Sequence, residues 1–447
     1  MIEIRAIGGY GEVGKNMTAV KVDDEVIIFD MGIHLPNWIK YTEEEGENVT
    51  KHSAKALQNV EAIPDDSFIK DWRHDVQAII PSHAHLDHIG AIPYLAKKYD
   101  APVICTPFTA AVLKTILKDE KIDLPNDIKT LPPNGQIKIS EKLKIEFVNI
   151  THSTAQAVAI ALHTPYGVVL YATDFKLDDH PVLGKPPNYE ALKRLQKKGI
   201  LVAFIDTLYA PKYIKTPCEA TAKEMLRDVM LGVNSQGSAL IVTTFSSHIA
   251  RLKSIVEFGK KLKRKIVFMG RSLSKYSRAA EEVNLINFTK DVEICHYGKQ
   301  VRQKLQEIQK RGPEKYLMVV TGHQGEPKSI LSRMANGDLP FQFKSQDHVI
   351  FSSIIIPTDI NRQQRAELEK NLISKGVRLF KDIHVSGHGA REDLRDFVNL
   401  TKPKHLIPVH GEKHMMDEFL KLAVEMGYQK NKNVHEIFNA QSLTLSP

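Results

Sequence analysis

Over the first two hundred residues, apolar positions alternate with polar ones or gather into short β-branched runs. They are IEIRAIG, MTAVKV, EVIIFD, VQAIIP, PVICT, KIEFVNI, VAIALHT and GVVLYATD. Period-two alternation bounded by turn residues predicts strands, with a helix over 107–118 between two of them. From about residue 210 the rhythm changes. Helical segments at 217–232, 247–264, 299–311 and 360–375 precede the runs ALIVTTF, KIVFM, YLMVVTG and RLFKDIHV. Strands alternating with helices predict a mostly parallel sheet flanked by helices. The last sixty residues return to helix–strand–helix in REDLRDFVNL, HLIPVHG and HMMDEFLKLAVEMG. The class is α/β, and the stretch 43–53 is expected to be an exposed loop.

Composition narrows the chemistry. Cys105, Cys218 and Cys295 are scattered, forming neither a disulfide framework nor a CxxC module, so any metal must be held by histidine and carboxylate. The start MIEIRAIGG lacks a signal peptide's basic and apolar parts, and no apolar run reaches the roughly 20 residues of a membrane helix. A cytoplasmic chain without membrane association is expected. The net charge of +8 says little until it is placed: residues 210–383 hold 30 Lys and Arg against 17 Asp and Glu, a net +13, and the remainder 31 against 36, a net −5. A positive middle segment suits the backbone of a polyanion. Phe245 and Tyr276 within it fit packing better than base stacking and receive no role.

The densest chemistry is PSHAHLDHIGA (81–91), with His83, His85, Asp87 and His88 in six positions directly after VQAII. Two apart at the end of an extended segment, His83 and His85 project to one face. Asp87 and His88 are then expected at the start of a helix running through IGAIPYLAKKY, with Pro93 near its first turn. One histidine there would be an ordinary surface group; four ligand-type side chains in six positions point to metal. An open catalytic site takes three or four donors per ion. Further donors are therefore expected at other strand ends: His152 after KIEFVNIT, Asp174 after GVVLYAT and His410 after HLIPV. A carboxylate such as Asp174 can bridge two cations about 3.5–4 Å apart. By contrast GYGEVGKN (9–16) nearly matches a phosphate-binding loop, but Asn16 replaces the hydroxyl and a strand follows instead of a helix. A tight turn without nucleotide is expected.

HxHxDH with single His, Asp and His residues at later strand ends resembles the metallo-β-lactamase superfamily, and Asp30 in IIFDMG resembles its first motif. GGYGEVGKN, TGHQGEP (321–327), IHVSGHG (383–389) and KPKHLIPVHGE (402–412) resemble, across essentially the whole chain, the ribonuclease J group of β-CASP nucleases. The resemblance implies a metallo-β-lactamase αββα sandwich built from 1–209 and completed by 384–447, around an inserted α/β β-CASP domain at 210–383. It implies one zinc ion on His83, His85 and His152 and a second on Asp87, His88 and His410, bridged by Asp174. Mn²⁺ or Mg²⁺ are the alternatives, in place or in addition. Asp206 in AFIDTLY matches the group's motif A, His388 motif B and His410 motif C, where histidine resembles the RNA-cleaving branch.

The implied function is a two-zinc ribonuclease, mainly a 5′→3′ exonuclease on 5′-monophosphorylated single-stranded RNA, with endonuclease activity as a second mode. Catalytic roles fall to Asp87, His388 and Asp206. His388 sits off the ligand set in a glycine-flanked turn and would protonate the leaving 3′-oxygen, oriented by Asp206. His384, Ser386 and the backbone at Gly387, with Ser353 as another wall, would hold a 5′-phosphate. A homodimer is expected, and other RNA-decay proteins are candidate partners. The compact chain resembles archaeal members, without the C-terminal domain of bacterial ones. A small-molecule hydrolase of the superfamily would explain the metal motif but not the basic segment or SGHG. A DNA nuclease is disfavoured by His410, and a non-catalytic RNA-binding subunit by the full ligand set.

Overall fold

The computed structural model describes residues 1–45 and 52–446. The expected loop at 43–53 lies largely outside them, and residues 43–45 end the helix Leu35–Glu45. The chain divides into two compact units. One comprises Met1–Asp179, Lys185–Thr216 and Gly387–Pro447; the other comprises His180–Gly184 and Pro217–Ser386.

In the first unit the strands form two mixed sheets. One runs Gln441–Leu445, Ile2–Gly8, Met17–Val22, Glu25–Phe29, Val76–Ile80, Val103–Cys105, Ile128–Thr130. Pairing is antiparallel among the first four and parallel beyond them. The other runs His405–Val409, Ile200–Asp206, Gly167–Ala172, Val158–Thr164, Lys144–Asn149, Gln136–Lys138, the first three mutually parallel and the rest antiparallel.

Alternation decides the layers. On the strand Lys144–Asn149, Ile145 and Phe147 enter the core between the sheets while Val148 faces outward. That core joins Ile4, Phe29 and Ile80 to Ile160, Tyr171 and Phe204, with the rings of Phe29 and Tyr171 stacked at 4.9 Å. Truncating such a ring to alanine costs about 3–5 kcal/mol. Outside the second sheet, Ala159, Leu170 and Ala203 are covered by Leu195, Phe397 and Phe419 from the helices Tyr189–Lys198, Arg391–Thr401 and Lys413–Glu425. The helix Pro107–Glu120 lies against the first sheet at its Ile128–Thr130 strand. The unit is the αββα sandwich of the metallo-β-lactamase fold.

The second unit has one six-stranded sheet in which every pairing is parallel. Its order is Val292–Cys295, Lys265–Met269, Tyr316–Val320, Leu240–Thr244, His348–Ser352, Arg378–Phe380. Ile241, Val267, Met318 and Val349 meet Leu305, Leu331 and Leu368, so the helices Gly298–Arg311, Ile330–Asn336 and Asp359–Ser374 share one face. The helix Ile249–Lys261 takes the opposite face: a Cβ on Gly259 would fall 2.5 Å from Leu317 and 2.9 Å from Ile266. The run RLFKDIHV is a strand only over Arg378–Phe380. Arg251, fully buried, makes a bidentate pair with Glu219 at 2.7 and 2.9 Å and donates to Ser352 Oγ at 2.8 Å.

Candidate metal centre

Donors, and the carboxylate that supports one of them, stand where strands of the first unit end. Asp30 follows Phe29, Asp174 comes two residues after Ala172, and His410 follows Val409. All three take positive φ, at 56°, 47° and 52°. A left-handed non-glycine residue is strained by about 1 kcal/mol or more, and such strain collects at functional sites. Asp87 and His88 occupy a first helical turn, Leu86–Ile89, but the single helix expected beyond them does not form. It breaks into Ile92–Leu95 and a 3₁₀ turn, Ala96–Lys98. Gly90 and Pro93 are the cause: a Cβ at Gly90 would meet Leu86 O at 2.6 Å and Ile33 at 2.9 Å, and Pro93 can only open a new turn.

Two groups of donors result. In one, His85 Nδ1 lies 3.1 Å from both His83 Nε2 and His152 Nε2, and each of these is 3.5 Å from Asp174 Oδ2. In the other, His88 Nε2 lies 3.5 Å from Asp87 Oδ2 and 3.3 Å from Asp174 Oδ2. His410 Nε2 lies 3.9 Å from Asp87 Oδ2 and 3.6 Å from Asp174 Oδ1. Within each group one donor atom per residue falls within 4.8 Å of the rest, and Asp174 belongs to both. Its Oδ1 is buried without a hydrogen-bond partner. A buried carboxylate oxygen left unpaired is costly. Five imidazoles and two carboxylates turned on one small volume suit a divalent cation, and that orphaned oxygen is the atom a cation would satisfy.

The far sides of His83, His88, His152 and His410 are also engaged. His88 Nδ1 donates to Asp30 Oδ2 at 2.7 Å, and Asp30 Oδ1 accepts from the Ser82 amide at 2.7 Å and hydroxyl at 3.0 Å. Ser82 Oγ in turn lies 3.0 Å from His83 Nδ1. His152 Nδ1 donates to Gly387 O at 2.8 Å, and His410 Nδ1 to Asn16 Oδ1 at 3.0 Å. Bonds of this kind fix tautomer and ring orientation, turning the inner nitrogen toward the place a cation would take. Asn16 was invisible as a site residue in the sequence. It belongs to the Gly-rich turn 9–16, whose glycines 9, 11 and 14 all take positive φ. The only signal was an amide where a phosphate loop needs a hydroxyl. Gly387 is equally specific, since a Cβ there would sit 2.7 Å from Ser153 N and 2.8 Å from His152 Cε1.

Electrostatics divides the histidines. Burial, with repulsion from neighbouring imidazoles, pushes His83 and His152 well below the ordinary range and His85 to about 4. Their inner lone pairs are therefore available. For His88 burial opposes charge, but Asp174, Asp30 and Asp87 outweigh it and raise the pKa well above the ordinary value. Those carboxylates want a cation among them, and without one a proton takes the place.

Asp206 ends its strand beside the centre. His388 Nδ1 donates to Asp206 Oδ2 at 2.7 Å, and His388 Nε2 points inward, 3.9 Å from Asp174 Oδ2. Its backbone is pinned by Thr216, whose hydroxyl donates to His388 O at 2.7 Å. The Tyr209 ring, unforeseen in the sequence, lies nearly parallel to His388 at 5.7 Å. Burial opposes protonation of His388, yet Asp206 and Asp174 carry its pKa up to about 9. Of the residues expected to hold a 5′-phosphate, Gly387 belongs to this unit, where its carbonyl serves His152. His384, Ser386 and Ser353 belong to the second unit. There His384 Nδ1 lies 3.5 Å from Arg251 Nη1, and Ser353 Oγ is buried with no hydrogen-bond partner.

Three family descriptions match the chain: Beta-lactamase superfamily domain over 59–226, Ribonuclease J, beta-CASP domain over 237–366, and Zn-dependent metallo-hydrolase RNA specificity domain over 377–435. The chain is 43% identical over 444 residues to Ribonuclease J of Methanocaldococcus jannaschii, covering 99% of this chain and 98% of that protein. It is 42% identical to Ribonuclease J of Pyrococcus abyssi, covering 97% and 95%. To Ribonuclease J of Synechocystis it is 28% identical, spanning 66% of that longer protein. A crystal structure of a protein of unknown function from Enterococcus faecalis shares the fold, with a TM-score of 0.66 at 18% identity over 99% of this chain.

Proposed function

The chain belongs to the ribonuclease J family, and from that premise we propose a two-zinc enzyme that hydrolyses single-stranded RNA, mainly 5′→3′ from a 5′-monophosphate. The observation that carries this is His388. It is an imidazole held by Asp206 through one nitrogen, with the other turned toward the carboxylate shared by both donor groups.

His83, His85 and His152 would hold one ion, Asp87, His88 and His410 the other, with Asp174 common to both. Bound there, the ions supply Lewis acidity toward phosphate oxygens, where stabilising growing charge is usually the largest catalytic term. Asp30, Asn16 and the Gly387 carbonyl keep the ligating rings in register. His388 would deliver a proton from Nε2 to the leaving 3′-oxygen, while Asp206 retains the proton on Nδ1. His384, Ser386, Gly387 and Ser353 are the proposed holders of the 5′-phosphate. The unpartnered Ser353 hydroxyl supports that role. Among the described residues no helix is long and apolar enough to cross a membrane.

The test is a 3′-labelled single-stranded RNA bearing a 5′-monophosphate or a 5′-triphosphate, with and without chelator. Stepwise mononucleotide release from the monophosphorylated RNA is expected. Chelator-resistant degradation, or no turnover by zinc-loaded protein, would refute the proposal. His388→Ala should keep its metal and lose most cleavage, and activity equal to wild type would remove it as the proton donor.

A further inference from the structure

His388 stands on a turn that no sheet or helix supports. Residues 387–390 precede the helix Arg391–Thr401 and belong to no regular element, although Gly387, Gly389 and Ala390 are buried. Buried backbone without a ladder must find its hydrogen bonds elsewhere, and here they come from four residues. Gly387 O accepts from His152 Nδ1 at 2.8 Å, and the Gly389 amide donates to Phe175 O. The His388 carbonyl accepts from the Thr216 hydroxyl at 2.7 Å, and the Ala390 amide donates to that hydroxyl at 3.0 Å. The Ala390 amide also donates to Asp393 Oδ2 at 3.0 Å.

Two of these four are tied to each other. Asp393 is the third residue of its helix, and its buried carboxylate reaches back to the amide of the residue before the helix, as a capping side chain does. The same Oδ2 takes the Thr216 amide at 2.7 Å. Bonds to an ionised carboxylate are about twice as strong as neutral ones, so Asp393 sets Thr216, and Thr216 sets the His388 backbone. The helix is anchored in turn by Phe397, whose ring lies 4.4 Å from that of Phe175, the residue after Asp174. Thr216 and His388 are 172 positions apart. Thr216 ends one stretch of the first unit and Gly387 begins the next, so the clasp joins the backbone where the chain leaves this unit to where it returns. Asp206 fixes which way the His388 ring turns, and the clasp fixes where its backbone stands.

We propose that Thr216 and Asp393 are positioning residues that hold His388 at the distance from which it protonates the leaving oxygen, an inference that rests on the proton-donor role proposed above. Neither touches substrate. A proton donor works only within hydrogen-bond reach of its acceptor, and a displacement of about 1 Å from a productive geometry can cost about 100-fold in rate. Without the Thr216 hydroxyl, the His388 carbonyl loses this partner and the Ala390 amide keeps only its bond to Asp393 among the two described.

The experiment uses the full, zinc-loaded chain and two 5′-monophosphorylated single-stranded RNAs. In one, the first linkage is ordinary: its P–O bond breaks and the departing 3′-oxygen takes a proton from His388. In the other, a bridging 3′-sulfur departs as a thiolate and needs no proton. Thr216→Val keeps the shape of the side chain without the hydroxyl, and Thr216→Ser keeps the hydroxyl. Thr216→Val should slow release of the first nucleotide from the ordinary RNA by about 10- to 100-fold. KM should change little, the pattern of an interaction made only in the transition state. The sulfur linkage should escape most of the loss, and Thr216→Ser should restore most of the rate. Asp393→Ala should discriminate in the same direction; because it also removes a helix cap, Thr216→Val decides. The clasp is overturned if Thr216→Val acts like wild type, if it slows both linkages equally, or if Thr216→Ser is as slow as Thr216→Val. If His388→Ala spares the sulfur linkage and Thr216→Val does not, the clasp falls and the proton donor stands. If His388→Ala slows both linkages equally, the proton donor falls, and the catalytic role of the clasp with it.

Discussion

Replacing Gly387 with alanine tests how tightly the backbone holds the metal centre. The new Cβ would lie 2.7 Å from the amide nitrogen and hydroxyl of Ser153 and 2.8 Å from Cε1 of His152. Carbon contacts relax only near 3.5–4.0 Å, so the 387 backbone or the His152 ring must move by about 1 Å. Metal–ligand distances tolerate about 0.2 Å. His152 therefore leaves its group, and the Gly387 carbonyl no longer holds its Nδ1. Overpacking of this kind costs about 1–3 kcal/mol of stability. Loss of a positioning bond behind a ligand typically lowers metal affinity about 10- to 100-fold. The penalty should fall on one donor group, because the atoms nearest the methyl group belong to Ser153 and His152, and His152 is not in the group of Asp87, His88 and His410. Titrating metal-free protein with zinc against a chromophoric chelator should show one equivalent bound as in wild type and one weakened. The urea midpoint of the apo-protein should fall. A variant that takes up both equivalents with native affinity, or loses both equally, would refute the reasoning.

Asp30→Asn tests the other group. Asparagine tolerates the left-handed backbone at this position and can still accept from Ser82, but it removes the negative charge facing His88 Nδ1. Zinc affinity should drop about 10- to 100-fold at the Asp87–His88–His410 group and stay native at the other, read in the same titration. Away from the centre, burial works against the charge on Glu146, but His163 and Arg194 outweigh it and hold its carboxyl at about 2. Its folded pKa is depressed, so its contribution is full above the ordinary 4.5 and is lost as pH falls toward 2. Glu146→Gln should therefore cost about 2–3 kcal/mol at neutral pH. It should also flatten the acid dependence of stability between about pH 4.5 and 2, measured by denaturant unfolding of metal-free protein.

The donors were legible because they obey local rules. His83 and His85 share a face by strand parity, and His152, Asp174 and His410 each end an apolar run that alternation marks as a strand. The parallel sheet of the second unit was equally legible in its alternation of strands and helices. Long-range fit was not legible. Asn16 reaches His410 across 394 positions, and the requirement for glycine at 387 arises only once Ser153 and His152 press against it. The break in the helix after His88 was half legible: Pro93 marks a new turn in the sequence, whereas Ile33 packing on Gly90 has no local signature. The strand Gln441–Leu445 is too polar on its exposed side to announce itself, and it forms by pairing with Ile2–Gly8.

The order of donors along the chain has a consequence for biosynthesis. Six of the seven lie between residues 83 and 174, and the seventh is His410. A ribosome adding about 5–20 residues per second therefore needs roughly 10–50 s after Asp174 emerges before the group of Asp87, His88 and His410 has its last donor. His388 arrives in the same late interval. Until residue 410 has emerged, the nascent chain sits beside its own message without the complete donor set.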